Sequence, residues 1–143
     1  MTAQTPPIII TGFMCAGKTT VARALAARLN CARLDTDEAI IERERRSIEA
    51  IIEADGEARF RQIEHEVLRA CLDNSDARII ALGGGAWTLA ENRALIKAHD
   101  CLTIWLDAPF ELCWRRLTNA DHTRPLARDR VQARELYTAR RSS

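Results

Sequence analysis

A glycine-rich segment near the amino terminus carries the spacing G-x-x-x-x-G-K-[ST]. It is GFMCAGKT over residues 12–19, with Gly12, Gly17, Lys18 and Thr19 at the four defined positions. Glycines in such a segment let backbone N–H groups turn toward phosphate oxygens, and the lysine neutralises phosphate charge. The threonine hydroxyl is a suitable ligand for Mg²⁺. The spacing therefore predicts a nucleotide phosphate site, against the alternative of an ordinary glycine-rich turn.

Two carboxylates follow a short apolar stretch in LDTDEAI. Asp35 and Asp37 stand two residues apart, so in extended chain both side chains point the same way and could face one site. One could complete a Mg²⁺ shell while the other receives or orients an acceptor hydroxyl. The alternative is that Asp37 only caps a helix beginning at Glu38.

Three consecutive glycines, Gly83, Gly84 and Gly85, follow the apolar run RIIAL. Consecutive glycines at the end of a strand are entropically costly, which favours a position where another group must approach the backbone closely. The alternative is a loose turn.

The elements that must position these residues are strands alternating with helices. Apolar, β-branched runs predict buried strands over residues 7–11, 31–35, 78–82 and 101–106. A helix is predicted from 18 to 29, where Val21, Leu25 and Leu29 recur at helical spacing. The pattern is typical of an α/β fold with a parallel sheet, in which ligands bind at the carboxyl ends of the strands.

The middle of the chain, residues 36–73, is charged and has helical periodicity. Ser47 is suited to begin a helix that Gly56 ends. A second helix places Phe60, Ile63, Val67 and Cys71 on one face. We expect these helices to form an insertion that covers the sheet edge.

Residues 118–130 are polar, rich in arginine and poor in periodicity, and predict a mobile loop. A final helix is predicted over residues 131–141. No internal repeat or linker divides the chain.

Composition bounds the class of protein. The chain has 143 residues, 47% hydrophobic and 29% charged, which fits one globular domain. A net charge of +1 gives no electrostatic argument for a nucleic-acid or membrane partner. The five cysteines show no C-x-x-C spacing, and no signal peptide or membrane-spanning run is visible, so we expect reduced thiols and a cytoplasmic protein.

Phosphate binding alone does not define a reaction. A GTPase would be expected to carry an N-K-x-D base-reading motif, which is absent, and a motor ATPase would usually be longer. The small size, the helical insertion and the arginine-rich late loop favour a kinase that acts on a small acceptor.

The segments GFMCAGKTT, LDTDEAI, DGEARFRQIE, IIALGGGA, TRPLA and ARR occur in this order over nearly the whole chain. In this combination the chain closely resembles the shikimate kinases. The resemblance implies a three-layer α/β/α P-loop fold with a parallel sheet, as one kinase domain over residues 1–143. It also implies a helical substrate-binding segment over 36–73 and a mobile lid over 118–130.

The resemblance implies specific roles. Thr19 and Asp35 would hold Mg²⁺, Asp37 would contact the acceptor hydroxyl as the proposed base, and Arg124 would reach the phosphate from the lid. With Lys18, Asp37 and Arg124 form the implied catalytic set. The nucleotide-binding residues implied are Gly12, Cys15, Ala16, Gly17, Lys18, Thr19, Thr20, Arg116 and Arg124. The substrate-binding residues implied are Asp37, Arg61, Gly83, Gly84, Gly85 and Arg140.

The chain also departs from the family pattern. Cys15 stands where the family usually has glycine, and the lid is a few residues shorter than usual. The chain ends before the last strand and helix that the family carries, so we expect a sheet of four strands and suspect an incomplete chain.

The function expected from these residues is ATP- and Mg²⁺-dependent phosphorylation of the 3-hydroxyl of shikimate, in the pathway to aromatic amino acids. The protein is expected to act as a monomer without nucleic-acid or membrane partners. The alternatives are a kinase for another small hydroxy acid such as gluconate, and a nucleotide-binding protein without catalysis.

Overall fold

A computed structural model describes residues 5–74, 76–119 and 129–142. The strands are β1 (Ile8–Gly12), β2 (Arg33–Asp35), β3 (Ile79–Ala81) and β4 (Leu102–Leu106). The α-helices are α1 (Lys18–Leu29), α2 (Thr36–Glu44), α3 (Ile48–Asp55), α4 (Glu57–Asn74), α5 (Ala90–Ala98), α6 (Phe110–Thr118) and α7 (Arg130–Arg141), with a 3₁₀ turn at Ala86–Thr88.

The four strands form one parallel sheet in the order β2-β3-β1-β4. Ile9 of β1 pairs with Ile80 of β3 and with Thr103 of β4, so β1 lies inside the sheet and is buried along its length. Because all four strands are parallel, the segments that follow β1, β2 and β3 meet at the carboxyl end of the sheet. The predicted α/β class with a parallel sheet is confirmed.

Helix α1 covers one face of the sheet, as its position after β1 predicts. That face of the sheet contributes Ile8, Ile10, Ile79 and Ala81 to a common cluster. On the helix side the buried residues are Ala22 and Ala26, with Leu25 partly buried, whereas Val21 and Leu29 are 36% and 39% exposed. The spacing of Val21 and Leu29 therefore did not identify the buried face of α1. The alanines face the sheet instead, because their small side chains let the helix lie close to it.

The opposite face of the sheet is covered by the helices of the predicted insertion. Ile9 and Ile80 of the two inner strands cluster there with Ile40, Ile51 and Ile63. These helices therefore pack on a face of the sheet, where the sequence analysis expected them at its edge. The face predicted for α4 is correct, since the four residues assigned to it are all buried: Phe60, Ile63, Val67 and Cys71.

Helix boundaries in this insertion follow the predicted signals. The Ser47 hydroxyl accepts a hydrogen bond from the Ala50 amide at 3.0 Å, as a capping residue does. Gly56 ends α3 with a φ of 87°, in the left-handed region that favours glycine.

Helix α7 packs on α6 and on the segment after β1. Phe13 contacts the Tyr137 ring edge-on at 5.2 Å between centroids, and the Tyr137 hydroxyl donates to the Ala108 carbonyl at 2.8 Å. At the end of the helix, Arg141 donates to both carboxylate oxygens of Asp107 at 2.9 and 3.0 Å. These contacts hold the last turn of α7 at the carboxyl end of the sheet.

The five cysteines carry free thiols, in line with the sequence analysis. Cys71 and Cys113 are buried, and burial raises the pKa of both thiols. In the described part of the chain, none of the helices combines the length and the apolar character needed to cross a membrane.

Candidate active site

The segment between β1 and α1 folds back over its own lysine. Lys18 Nζ donates to the carbonyl oxygens of Gly12 and Phe13 at 2.9 and 2.8 Å. Gly17 precedes the helix with a φ of 103°, a conformation that a side chain would strain. The ammonium group and the amino end of α1 therefore lie together, and both favour a bound anion.

Cys15 occupies a backbone position that favours glycine. Its φ is 60°, in the left-handed region, which costs a residue with a Cβ about 1–2 kcal/mol. The Cys15 carbonyl accepts a hydrogen bond from Arg116 Nη1 at 2.9 Å. This position thus explains in physical terms why the family pattern has glycine there.

An open cavity of about 600 Å³ lies beside this segment. Its lining brings together the residues from Met14 to Val21 with Asp35, Asp37, Leu82, Gly84 and Arg116. Seven of the predicted nucleotide-binding residues line it: Cys15, Ala16, Gly17, Lys18, Thr19, Thr20 and Arg116. Of the other two, Gly12 contributes the carbonyl oxygen that accepts from Lys18. Arg124 lies outside the described residues.

The two residues predicted to hold a metal are in contact. Thr19 Oγ1 donates to Asp35 Oδ2 at 3.1 Å across the cavity floor. A hydroxyl and a carboxylate are hard oxygen ligands, which suit Mg²⁺ bound mainly through nucleotide phosphates and water. Among the described residues no cluster of three or more His, Cys, Asp or Glu could hold a metal ion.

Asp35 is also the N-cap of helix α2. Its Oδ1 accepts hydrogen bonds from the backbone amides of Asp37 and Glu38 at 2.9 and 3.3 Å. The capping alternative considered for Asp37 is therefore wrong, because the preceding carboxylate is the cap. Asp37 lies in the first turn of the helix and lines the cavity.

Two arginines from distant parts of the chain converge on one glycine. A Cβ placed on Gly85 would overlap the guanidinium of Arg61, from α4, and would lie 2.8 Å from Arg140 Nη2, from α7. Arg140 is only 6% exposed, and burial followed by the charge of Arg61 lowers the pKa of its guanidinium to about 10. Two guanidinium groups that converge on one turn, Arg140 buried and Arg61 partly buried, form a good receptor for a carboxylate.

The glycine turn requires space rather than unusual backbone angles. None of the three glycines has a positive φ, yet a Cβ on Gly83 would overlap the Asp37 carboxylate, and one on Gly84 would lie 3.1 Å from Arg140 Nη1. The Gly83 amide donates to the Thr36 hydroxyl at 3.0 Å. Because Gly83 and Gly85 are buried, the alternative of a loose turn does not fit. The predicted acceptor residues thus lie together around one turn.

The sequence analysis missed Glu64, which is only 1% exposed. Its Oε1 accepts from Arg61 Nη1 at 2.7 Å. Burial raises the pKa of the Glu64 carboxyl, against the opposing attraction of Arg61. A signal was present, since Glu64 is four residues after Phe60 and falls on the apolar face of α4, where a charge needs a partner.

Comparisons with known proteins identify one family. The family model described as shikimate kinase matches residues 14–143. Shikimate kinase from Salinibacter ruber is 43% identical over 122 residues, covering 85% of this chain and 59% of the relative. The enzyme from Ruegeria pomeroyi is 40% identical over 136 residues, covering 93% and 68%. The chain thus spans about three fifths of the first relative's length and about two thirds of the second's.

Solved structures give the same result for the fold. Shikimate kinase from Acinetobacter baumannii in complex with shikimate has a TM-score of 0.85 and 37% identity, covering 95% of this chain and 74% of that one. The enzyme from Aquifex aeolicus has a TM-score of 0.81 and 34% identity, covering 95% and 80%. The predicted P-loop α/β fold is confirmed, and the chain belongs to the shikimate kinase family.

Proposed function

We propose that this chain transfers the γ-phosphoryl group of ATP to the 3-hydroxyl of shikimate. The observation that carries the proposal is the convergence of Arg61 and Arg140 on Gly85, next to residues 12–20, which we call the phosphate cradle. Shikimate offers a carboxylate for the arginines and hydroxyls for a neighbouring base. Membership of the family and the shikimate named with the Acinetobacter baumannii structure support the choice of acceptor.

The donor side is assigned to the segment after β1. Lys18 would exchange its carbonyl partners for phosphate oxygens, while the backbone amides of the following turn donate to the same group. Thr19 and Asp35 would hold Mg²⁺, directly or through water. When bound, Mg²⁺ with ATP supplies charge neutralisation on the phosphates. The exposed Arg116, held against the cradle by its bond to Cys15, is assigned to the nucleotide.

The acceptor side is assigned to four segments. Arg61 and Arg140 would bind the shikimate carboxylate through planar guanidinium forks, a geometry that carboxylates favour. Gly83 lets Asp37 come close to the turn, where it would orient the 3-hydroxyl and receive its proton. Arg124, outside the described residues, is assigned to the phosphate in transit. Within this one kinase domain we assign residues 36–73 to acceptor binding and 118–130 to the lid.

An ADP-release assay with several acceptors tests the proposal. We expect turnover with shikimate to exceed turnover with gluconate at equal concentration, because gluconate is a flexible hydroxy acid that must be ordered on binding. Faster turnover with gluconate would select the alternative hydroxy-acid kinase. ATP binding without turnover on any acceptor would select the non-catalytic alternative. The strained backbone at Cys15, within the phosphate-binding segment, is the reason for testing it.

We further propose that the protein acts in the cytoplasm as a monomer, without nucleic-acid or membrane partners. The net charge of +1 and the free thiols support this assignment. Sedimentation equilibrium should return the mass of one chain, 16.1 kDa, and a mass of twice that value would contradict it.

A further inference from the structure

One polar side chain in the core is not used by the proposed reaction. Asn92, on α5, is fully buried, at 0% exposure. Its Nδ2 donates to the Ala86 carbonyl at 2.9 Å, and its Oδ1 lies 2.6 Å from His65 Nδ1. Removing one partner of such a buried amide costs about 1–3 kcal/mol of stability. We call the contacts from His65 through Asn92 to Ala86 the bridge.

The partners fix the direction of every hydrogen bond in this bridge. A carbonyl only accepts, so the amide nitrogen of Asn92 must face Ala86 and its oxygen must face His65. His65 Nδ1 therefore carries the proton, and Nε2 accepts from Arg69 Nη2 at 3.4 Å. The bonds run in one direction from Arg69 through His65 and Asn92 to the Ala86 carbonyl.

The bridge joins helix α4 to the glycine turn. These two segments, with Asp37 and Arg140, surround the space that we call the acceptor slot. His65 lies one helical turn after Arg61 on α4, and Ala86 directly follows Gly85. The same turn is fixed from its other side, where the Thr88 hydroxyl donates to the Gly85 carbonyl at 2.6 Å. We propose that Asn92 and His65 are positioning residues that set the separation between Arg61 and Gly85, and with it the affinity for the acceptor carboxylate.

The slot is sensitive to this separation because it has little spare space. The guanidinium groups of Arg61 and Arg140 already fill the volume that a Cβ on Gly85 would take. A small outward movement of the turn would therefore lengthen the hydrogen bonds from these groups to a bound carboxylate. Lys18 of the phosphate cradle donates to Gly12 and Phe13, whereas Asn92 of the bridge contacts His65 and Ala86. Loss of the bridge should therefore affect the acceptor and spare the nucleotide. This inference rests on the proposed function.

The test compares Asn92→Leu and His65→Ala with the wild type in steady-state kinetics. We expect the KM for shikimate to rise about 10-fold in Asn92→Leu and less in His65→Ala, with the KM for ATP within about 2-fold. His65→Asn should recover most of the wild-type KM, because its amide nitrogen can take the place of Nδ1. Should Asn92→Leu fail to fold, the two variants of the less buried His65 decide the question.

Ile96→Ala is the matched control, since Ile96 is buried one turn further along α5 and belongs to the apolar core. It should lower stability by about 2–5 kcal/mol without changing the KM for shikimate. The proposal is overturned if Ile96→Ala raises that KM as much as Asn92→Leu does, if both KM values rise together, or if His65→Asn is no better than His65→Ala.

A second readout separates this inference from the proposed function. Amide hydrogen exchange of Gly85 and Ala86 needs no substrate, and we expect it to be faster in Asn92→Leu than in Ile96→Ala. A wild type that does not phosphorylate shikimate would refute the proposed function while the exchange result still tests the bridge. Equal exchange in the two variants would refute the bridge itself.

Discussion

The two halves of the site are built in different ways. The phosphate cradle is one continuous segment whose lysine bonds to carbonyls only five and six residues away. The acceptor slot is assembled from α2, α4, the glycine turn and α7, and its two arginines are far apart in the chain. The cradle is partly exposed, whereas Arg140 and Glu64 are buried. Loss of a charged side chain in the cradle should therefore change chemistry with little effect on stability, while loss of one in the slot should change stability as well.

The largest expected effect comes from Lys18→Ala in the cradle. Loss of the ammonium group should lower kcat with shikimate by about 100-fold or more, because phosphoryl transfer depends on charge neutralisation. The melting temperature should stay within a few degrees, since water can satisfy the Gly12 and Phe13 carbonyls that Lys18 bonds in the folded chain.

Lys97→Ala is the matched control, because Lys97 is the other lysine of the chain and lies exposed near the end of α5. Its kinetics should equal those of the wild type. A similar loss of kcat in both variants would mean that the effect does not come from the cradle.

Next in size is Arg61→Ala in the slot. We expect the KM for shikimate to rise about 10- to 100-fold with little change in the KM for ATP, as one carboxylate fork is lost. Stability should fall by about 1–3 kcal/mol, because Glu64 would be left buried without its 2.7 Å partner. Urea unfolding measures this second effect.

Two further variants separate binding from stability in the slot. Arg61→Ala combined with Glu64→Gln should recover stability but not the KM for shikimate. Arg59→Ala, on an exposed position of the same helix, should change neither. If Arg61→Ala leaves shikimate saturation unchanged, the carboxylate assignment is wrong.

The pH dependence of stability should also distinguish the halves. Burial raises the pKa of Glu64 above its ordinary value of 4.5, so the folded protein holds this proton more tightly than the unfolded chain. Glu64 therefore stabilises the fold fully below pH 4.5, and this contribution is lost as the pH rises from there through the raised pKa. Unfolding experiments across this range should show a smaller loss in Glu64→Gln, whereas an unchanged slope would contradict the burial argument.

The smallest expected effect is a gain in stability from a substitution in the cradle. Cys15→Gly removes a Cβ from a backbone held at a φ of 60°, and we expect about 0.5–1 kcal/mol of added stability after the entropy of glycine is counted. Cys15→Ala is the control, because it keeps the Cβ and removes only the thiol. Equal stabilities of the glycine and alanine variants would show that strain at this position is negligible.

The same contrast explains how much the sequence could predict. Local signals sufficed for the cradle, for the strands and for helix α3 between its caps Ser47 and Gly56, because neighbouring residues determine them. The Asp35 and Asp37 pair was also found, although the capping role fell to the first of the two. Each of these features depends on residues close together in the chain.

The resemblance to the family supplied Arg61 and Arg140, but other features that depend on partners across the fold were not predicted. Helical periodicity showed that α1 exists but pointed to Val21 and Leu29, while the sheet selects the smaller Ala22 and Ala26. The helices of residues 36–73 lie on a face of the sheet, which periodicity alone cannot specify. Glu64 is recognisable as a member of the slot only once Arg61 is beside it.

The most direct test of the account compares shikimate with its neutral carboxamide as acceptors for the wild-type protein. ADP release should be readily measured with shikimate, and the KM for the carboxamide should be higher by about 100-fold or more, because the buried guanidinium of Arg140 and the partly buried one of Arg61 would lose their ionic partner. Equal KM values for the two acceptors, or no turnover with shikimate, would contradict the assignment of Arg61 and Arg140 as the carboxylate receptor of a shikimate-phosphorylating site.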